Sequence, residues 1–196
     1  MDATKTNVDL RRSAMCRIGR NVVNFQKLEL CLKFIAQFGR IEGSISKAVS
    51  DHEKRTAKAA HHTLGQAIQE WQKVVMKDQS PNGAIADLFE PWLSMTFDIE
   101  MDKEKAKAQG NTLFALATER NNLIHHDLAS IDFGSATQCQ ELIAKLDDQN
   151  AKILEQLRIL APLKESVREL SSVLHSFFQS DEFLNLLNGS SSEDNV

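Results

Sequence analysis

The chain is expected to fold as an all-α protein, and three observations carry that expectation. Only three prolines and eight glycines interrupt its 196 residues. The long stretches between them are dominated by Leu, Ala, Lys, Glu and Gln, residues that cost little in a helix. Apolar side chains recur there at three- and four-residue steps, the spacing of one helix face rather than the alternation of a strand.

Residues 1–8 are polar and read as frayed. A first helix begins near residue 9 or 21 and ends at 38. Its apolar residues Val22, Val23, Phe25, Leu28, Leu30, Leu32, Phe34, Ile35 and Phe38 point almost all round, which places it in the core. A narrow polar stripe of Gln26, Glu29, Lys33 and Gln37 is left over, and Gly39 and Gly43 bracket the end. Residues 44–77 read as a second long helical stretch. Its first half is solvated, and Leu64, Ile68, Trp71 and Val75 form an amphipathic face. Residues 78–83 are the clearest loop, and 85–99, with Pro91, read as a short helix plus irregular structure.

Residues 102–129 form a third helix with Gly110 as a weak point. Ser135 is placed to cap the next one. That helix runs towards Gln179, with Pro162 as a kink or break. Leu142, Leu146, Ile153, Leu157, Leu160, Val167, Leu170, Leu174 and Phe178 form a seam that Asn150 and Lys164 interrupt. The seam packs either on the domain, as a long helix or helical hairpin, or across a dimer as a coiled coil. Residues 1–188 therefore read as one domain with a C-terminal helical arm over about 135–188, followed by a disordered tail at 189–196.

Composition narrows the function classes. The formal net charge is −4, so a protein that coats nucleic acid without selectivity is excluded. A local basic patch remains, because Arg11, Arg12, Arg17, Arg20 and Lys27 crowd the N-terminal end. Cys16, Cys31 and Cys139 have no pairing or metal spacing and read as reduced, buried thiols of a cytoplasmic protein. No apolar run is long enough to cross a bilayer, so no membrane partner is expected.

The chemistry is concentrated in Glu119-Arg120-Asn121-Asn122-Leu123-Ile124-His125-His126-Asp127-Leu128. Arginine binds phosphate, and histidine exchanges protons near neutrality, a pairing suited to metal-free phosphodiester cleavage. On an α-helix with Arg120 at zero, Asn121 falls at about 100°, His125 at about 140° and His126 at about 240°. Leu113, Leu116, Ala117, Leu123, Ile124 and Leu128 spread across the arc centred near Arg120. Arg120 thus lies in the buried face, Asn121 and His125 at its edge, and His126 towards solvent. An arginine so placed is costly unless paired. It is either bridged to a carboxylate, with Glu29 the first candidate, or preorganised as a phosphate clamp.

No other constellation competes. His52, His61 and His62 read as surface residues, His175 as an isolated ring at a core edge, and no carboxylate–histidine spacing completes a zinc site. No glycine-rich phosphate loop, nucleophile elbow or paired catalytic carboxylates appear. No metal and no cofactor are expected.

The run from Arg120 to His125 resembles the signature of the HEPN family of compact helical domains, an arginine followed after four to six residues by a histidine. Asn121 matches the polar residue often found after the arginine. Glu29-Leu30-Cys31-Leu32-Lys33 is similar to the glutamate and basic residue that many HEPN domains carry on an early helix. One subgroup, paired with nucleotidyltransferase antitoxins, has a tyrosine two residues after the histidine. This chain has Asp127 there and no tyrosine at all, so silencing by tyrosine modification is not open to it. Asp127 is instead a candidate to pair with Arg120.

The resemblance implies an up-and-down helical bundle and a metal-independent endoribonuclease acting in phage defence, toxin–antitoxin systems or stress response. The ribose 2′-OH would attack the adjacent phosphate and leave a 2′,3′-cyclic phosphate. His125 would transfer the proton, with His126 as a secondary candidate. Arg120 would stabilise phosphoryl charge. Asn121 would donate to the phosphate or orient His125, and Glu29 and Lys33 would support the arginine or bind phosphate. The implied partners are RNA, a second copy in a homodimer, and an antitoxin or defence-system protein. The alternative is a non-catalytic HEPN-like module that binds a protein or nucleic acid.

Overall fold

The computed structural model describes residues 3–38, 40–76, 92–96, 99 and 101–187. In chain order the elements are α1 (Ala3–Gln37), β1 (Arg40–Ser44), α2 (Ile45–Ala60), α3 (Leu64–Val75), β2 (Trp92–Thr96) and α4 (Lys103–Asn122). A π-helical turn (Leu123–Asp127), a short α5 (Leu128–Ser130), α6 (Ala136–Phe178) and α7 (Asp181–Leu187) follow. The all-α expectation holds for the body of the protein, with one addition. β1 and β2 pair antiparallel, Arg40 opposite Thr96 and Ser44 opposite Trp92. The loop expected at 78–83, Pro91 and the tail at 189–196 lie outside the described residues.

Three expected boundaries are corrected. α1 is helical from Ala3 rather than frayed to residue 8, and the Asn7 side chain donates to the Gly134 carbonyl at 2.6 Å, which ties this end down. The stretch from 44 to 77 is two helices, because Thr63 starts a new one. Its hydroxyl accepts from the Gln66 N–H while the Gln66 side chain accepts from the Thr63 N–H, a reciprocal cap. Residues 92–96 are strand rather than helix, since their backbone groups find partners in a segment some fifty positions earlier.

α1 and α6 form the spine. Their cross-links advance together, Arg17 to Asp147, Asn21 to Gln149 and Asn24 to Asn150, so the two helices run parallel. α4 runs the other way along α6: Gln109 meets Gln156, Glu119 meets Lys152 and Asp127 meets Lys145. One core cluster joins Phe25, Leu28, Leu32 and Ile35 of α1, Ile68 and Trp71 of α3, Leu113 and Leu116 of α4, and Ile153, Leu160 and Val167 of α6. A second gathers Ala14, Leu123, Leu142 and Leu146 around the π turn. Gly110 is buried at the α3–α4 contact, where a Cβ would run into the Gln72 side chain.

α6 is one unbroken helix through Pro162. The proline is exposed, so the carbonyl it leaves without an N–H partner faces water. The apolar seam is consumed within the chain: Leu142, Leu146, Ile153, Leu160, Val167 and Leu174 are buried. The helical hairpin is thereby replaced by a single 43-residue helix. Asn150, an apparent flaw in the seam, accepts from the Asn24 side chain at 2.9 Å. The fully buried Asn21 donates to the Leu146 carbonyl at 2.8 Å and to the Gln149 side chain at 3.0 Å. These polar pairs fix the axial register of two otherwise slippery apolar faces.

Candidate functional site

α4 starts at Asp102, whose carboxylate accepts from the N–H groups of Glu104 and Lys105 at 3.0 and 3.1 Å. It then presents Leu113, Leu116 and Ala117 to the core. At its end the Leu128 N–H donates to the Leu123 carbonyl, five residues back. That wider turn changes which side chains point inward. Leu123 is buried and Leu128 half-buried, and both pack in the second core cluster. The residues between them bulge outward: Ile124, His125 and His126 are all exposed. Ile124, expected within the buried arc, is 38% exposed because the π turn breaks the 100° step on which that expectation rests.

The bulge is pinned to α6. Asp127 accepts from the Lys145 ammonium at 2.5 Å. Glu119 pairs with Lys152 at 3.1 Å, and Lys152 also holds Asp148 at 2.9 Å. Hydrogen bonds to Asp148 and Glu119 push the Lys152 ammonium above the usual lysine range. Between these anchors lie the residues singled out by sequence. Arg120 is half-buried, and among the described residues its guanidinium makes no hydrogen bond or ion pair. Asn121 is exposed one position on, and His125 and His126 are exposed on the next turn. Arg120, Asn121, His125 and His126 therefore share one water-facing ledge with an uncommitted cation at its inner edge.

Two expected pairings of Arg120 are overturned. Asp127 bonds to Lys145, since the π turn swings it towards α6. Glu29 bonds to Lys33 at 2.8 Å on its own helix. Lys33 is buried and donates also to the Ala60 carbonyl at 2.9 Å, one of the carbonyls that the end of α2 leaves without an intrahelical donor. Glu29 and Lys33 thus clasp α2 onto α1, and no hydrogen bond or ion pair links them to the ledge.

The basic N-terminal patch is smaller than its sequence suggests. Arg17 and Arg20 both grip Asp147, at 2.9 and 2.8 Å. Hydrogen bonds from Arg20 and then Arg17 hold the Asp147 carboxyl below its ordinary value. Arg11, Arg12 and Lys27 stay exposed. Cys31 and Cys139 are buried as expected, whereas Cys16 is exposed on α1. Burial pushes the Cys31 thiol up, against the opposing charge of Lys164. His61 is exposed and His62 half-exposed at the α2–α3 joint, and His175 is exposed on α6 rather than at a core edge. Among the described residues no group of His, Cys, Asp or Glu is arranged to hold a metal, and no helix is long and apolar enough to cross a membrane.

The π turn is the feature of the site that sequence reading missed. Its signal is the five-residue interval between Leu123 and Leu128, out of step with the three- and four-residue rhythm before it. Comparison with known proteins found no family model, no curated protein and no solved structure that matches this chain.

Proposed function

We propose that the chain is a metal-independent, HEPN-type endoribonuclease whose site is the ledge formed by Arg120, Asn121 and His125. One observation carries this reading: an arginine with no protein partner lies one turn from an exposed imidazole, on a segment anchored to α6 at both ends. A guanidinium left unpaired at the edge of a core is ready to take an anion, and a phosphate fits its bidentate donors. His125 takes the ribose 2′-OH proton. The 2′-oxygen attacks the adjacent phosphorus, the 5′-oxygen leaves, and a 2′,3′-cyclic phosphate forms. Arg120 neutralises the charge that gathers on the phosphoryl oxygens. Asn121 donates to the same phosphate, and His126 stands on the turn as a second proton carrier. The working unit is a homodimer, and an antitoxin or defence-system protein is its regulatory partner.

Purified protein incubated with total RNA in EDTA is expected to give fragments ending in cyclic phosphate. His125→Ala should lower the cleavage rate at least ~100-fold, the scale of a lost proton-transfer group. It should leave the fold intact, because the ring is exposed. Undiminished cleavage by His125→Ala would remove the mechanism.

A second reading is favoured by the position of Glu29 and Lys33. They secure α2 instead of supporting Arg120, which suits a module that binds RNA or a protein on the ledge without cutting. RNA retention on the wild type, weakened by Arg120→Ala and accompanied by no cleavage, selects it.

A further inference from the structure

The outer face of α1 carries an apolar stripe that nothing within the chain covers. Val8 is 62% exposed, Met15 46%, Val23 48% and Leu30 65%. At 3.6 residues per turn these four fall on one side of the helix, roughly opposite Ala14, Asn21, Asn24 and Leu28, which face inward. The stripe runs for about 33 Å along the axis at 1.5 Å per residue.

Its arrangement is symmetric about Gly19. Met15 and Val23 lie four residues either side of that glycine, and Val8 and Leu30 eleven residues either side. Gly19 sits on the same line, where a Cβ would meet nothing within 4 Å. A glycine in mid-helix weakens the helix, and no close approach inside the chain calls for it here. A palindrome of apolar residues around a side-chain-free centre is what an isologous, antiparallel contact uses, since each residue then meets its mirror position on the other copy.

We propose that two copies of this chain pair through α1, antiparallel, with the two-fold axis at Gly19. Val8 of each copy packs on Leu30 of the other, Met15 packs on Val23, and the two glycines let the backbones approach. The charges agree with this occupant. Asp9 and Lys27 are exposed, flank the same edge of the stripe and make no ion pair among the described residues. In the antiparallel register Asp9 of one copy lies about 3 Å along the axis from Lys27 of the other, two residues apart at 1.5 Å each. Symmetry makes the bridge twice. A parallel arrangement would instead set Asp9 beside Asp9 and Lys27 beside Lys27. The α6 seam is already buried within the chain, so it does not compete for the second copy. This pairing is independent of the RNA reading and is measured by mass, not by cleavage.

Sedimentation equilibrium of the full chain, from micromolar to submillimolar concentration, tests it. The wild-type mass should rise from 22.0 kDa towards about twice that value. Gly19→Lys sets two like charges on the axis and should remain monomeric, with unchanged helical circular dichroism because its side chain enters open space. Lys27→Glu should weaken the dimer about five-fold, a scale set by two exposed ion pairs. The charge swap Asp9→Lys with Lys27→Glu should restore it. A wild type that stays at monomer mass throughout, a Gly19→Lys protein that dimerises as well as wild type, or a swap with no recovery would each overturn the proposal.

Discussion

At the residue scale, Lys33 shows how a buried charge is put to structural use. Its ammonium is held by the Glu29 carboxylate and the Ala60 carbonyl, both within 2.9 Å. Removing one partner of such a set leaves the others desolvated and unpaired, which costs more than the bonds contribute. Lys33→Met, which keeps the apolar stem, should lower unfolding free energy by about 1–3 kcal/mol in urea titration. The loss should be shared by Glu29→Gln only in part, because the neutral amide still accepts from Lys33. The same residue marks where sequence reading stopped. That Glu29 and Lys33 lie on one helix face follows from their spacing, but which element they meet is a fact of chain tracing. The polar stripe was legible, and the end of α2 that it serves was not.

At the element scale, the π turn decides which residues of the site reach water. Adjacent positions should therefore respond very differently to truncation. Leu123→Ala should cost about 2–5 kcal/mol, as for a leucine lost from a filled core. Ile124→Ala should stay within about 0.5 kcal/mol, the range of exposed positions. Chemical denaturation of the two variants side by side checks the contrast, and equal losses would mean a regular α-turn. The elements themselves were largely readable. The α6 seam, the Ser135 cap and the solvent side of His126 follow from periodicity and capping chemistry. The β1–β2 ribbon was not, because each strand is five residues long and its partner is far along the chain. The break at Thr63 could have been found, since Thr63-Leu64-Gly65-Gln66 spells a reciprocal cap. Arg120 was placed correctly near the core edge, yet both partners suggested for it are engaged elsewhere.

At the scale of the whole molecule, the clasp of Arg17 and Arg20 on Asp147 couples the parallel spine to pH. The Asp147 carboxyl is depressed below its ordinary value of 3.8 in the folded protein. Its contribution is therefore complete above that value and is lost as pH falls through the lower, folded one. Asp147→Asn should lower the urea midpoint at about pH 6, where the wild-type carboxylate is charged, and the two proteins should converge near pH 2. A gap that persists in acid would mean that shape, not charge, holds the clasp.

The spine also orders events in time. The first hydrogen-bonded partners of α1 on α6 lie more than 120 positions further along the chain, as with Arg20 and Leu146. At a synthesis rate of about 5–20 residues per second, α1 leaves the ribosome roughly 6–25 s before its mate can reach it. Throughout that interval Phe25, Leu28, Leu32 and Ile35 have no α6 to cover them. A nascent-chain holdase, or early docking on α3, is what would keep them from aggregating during translation.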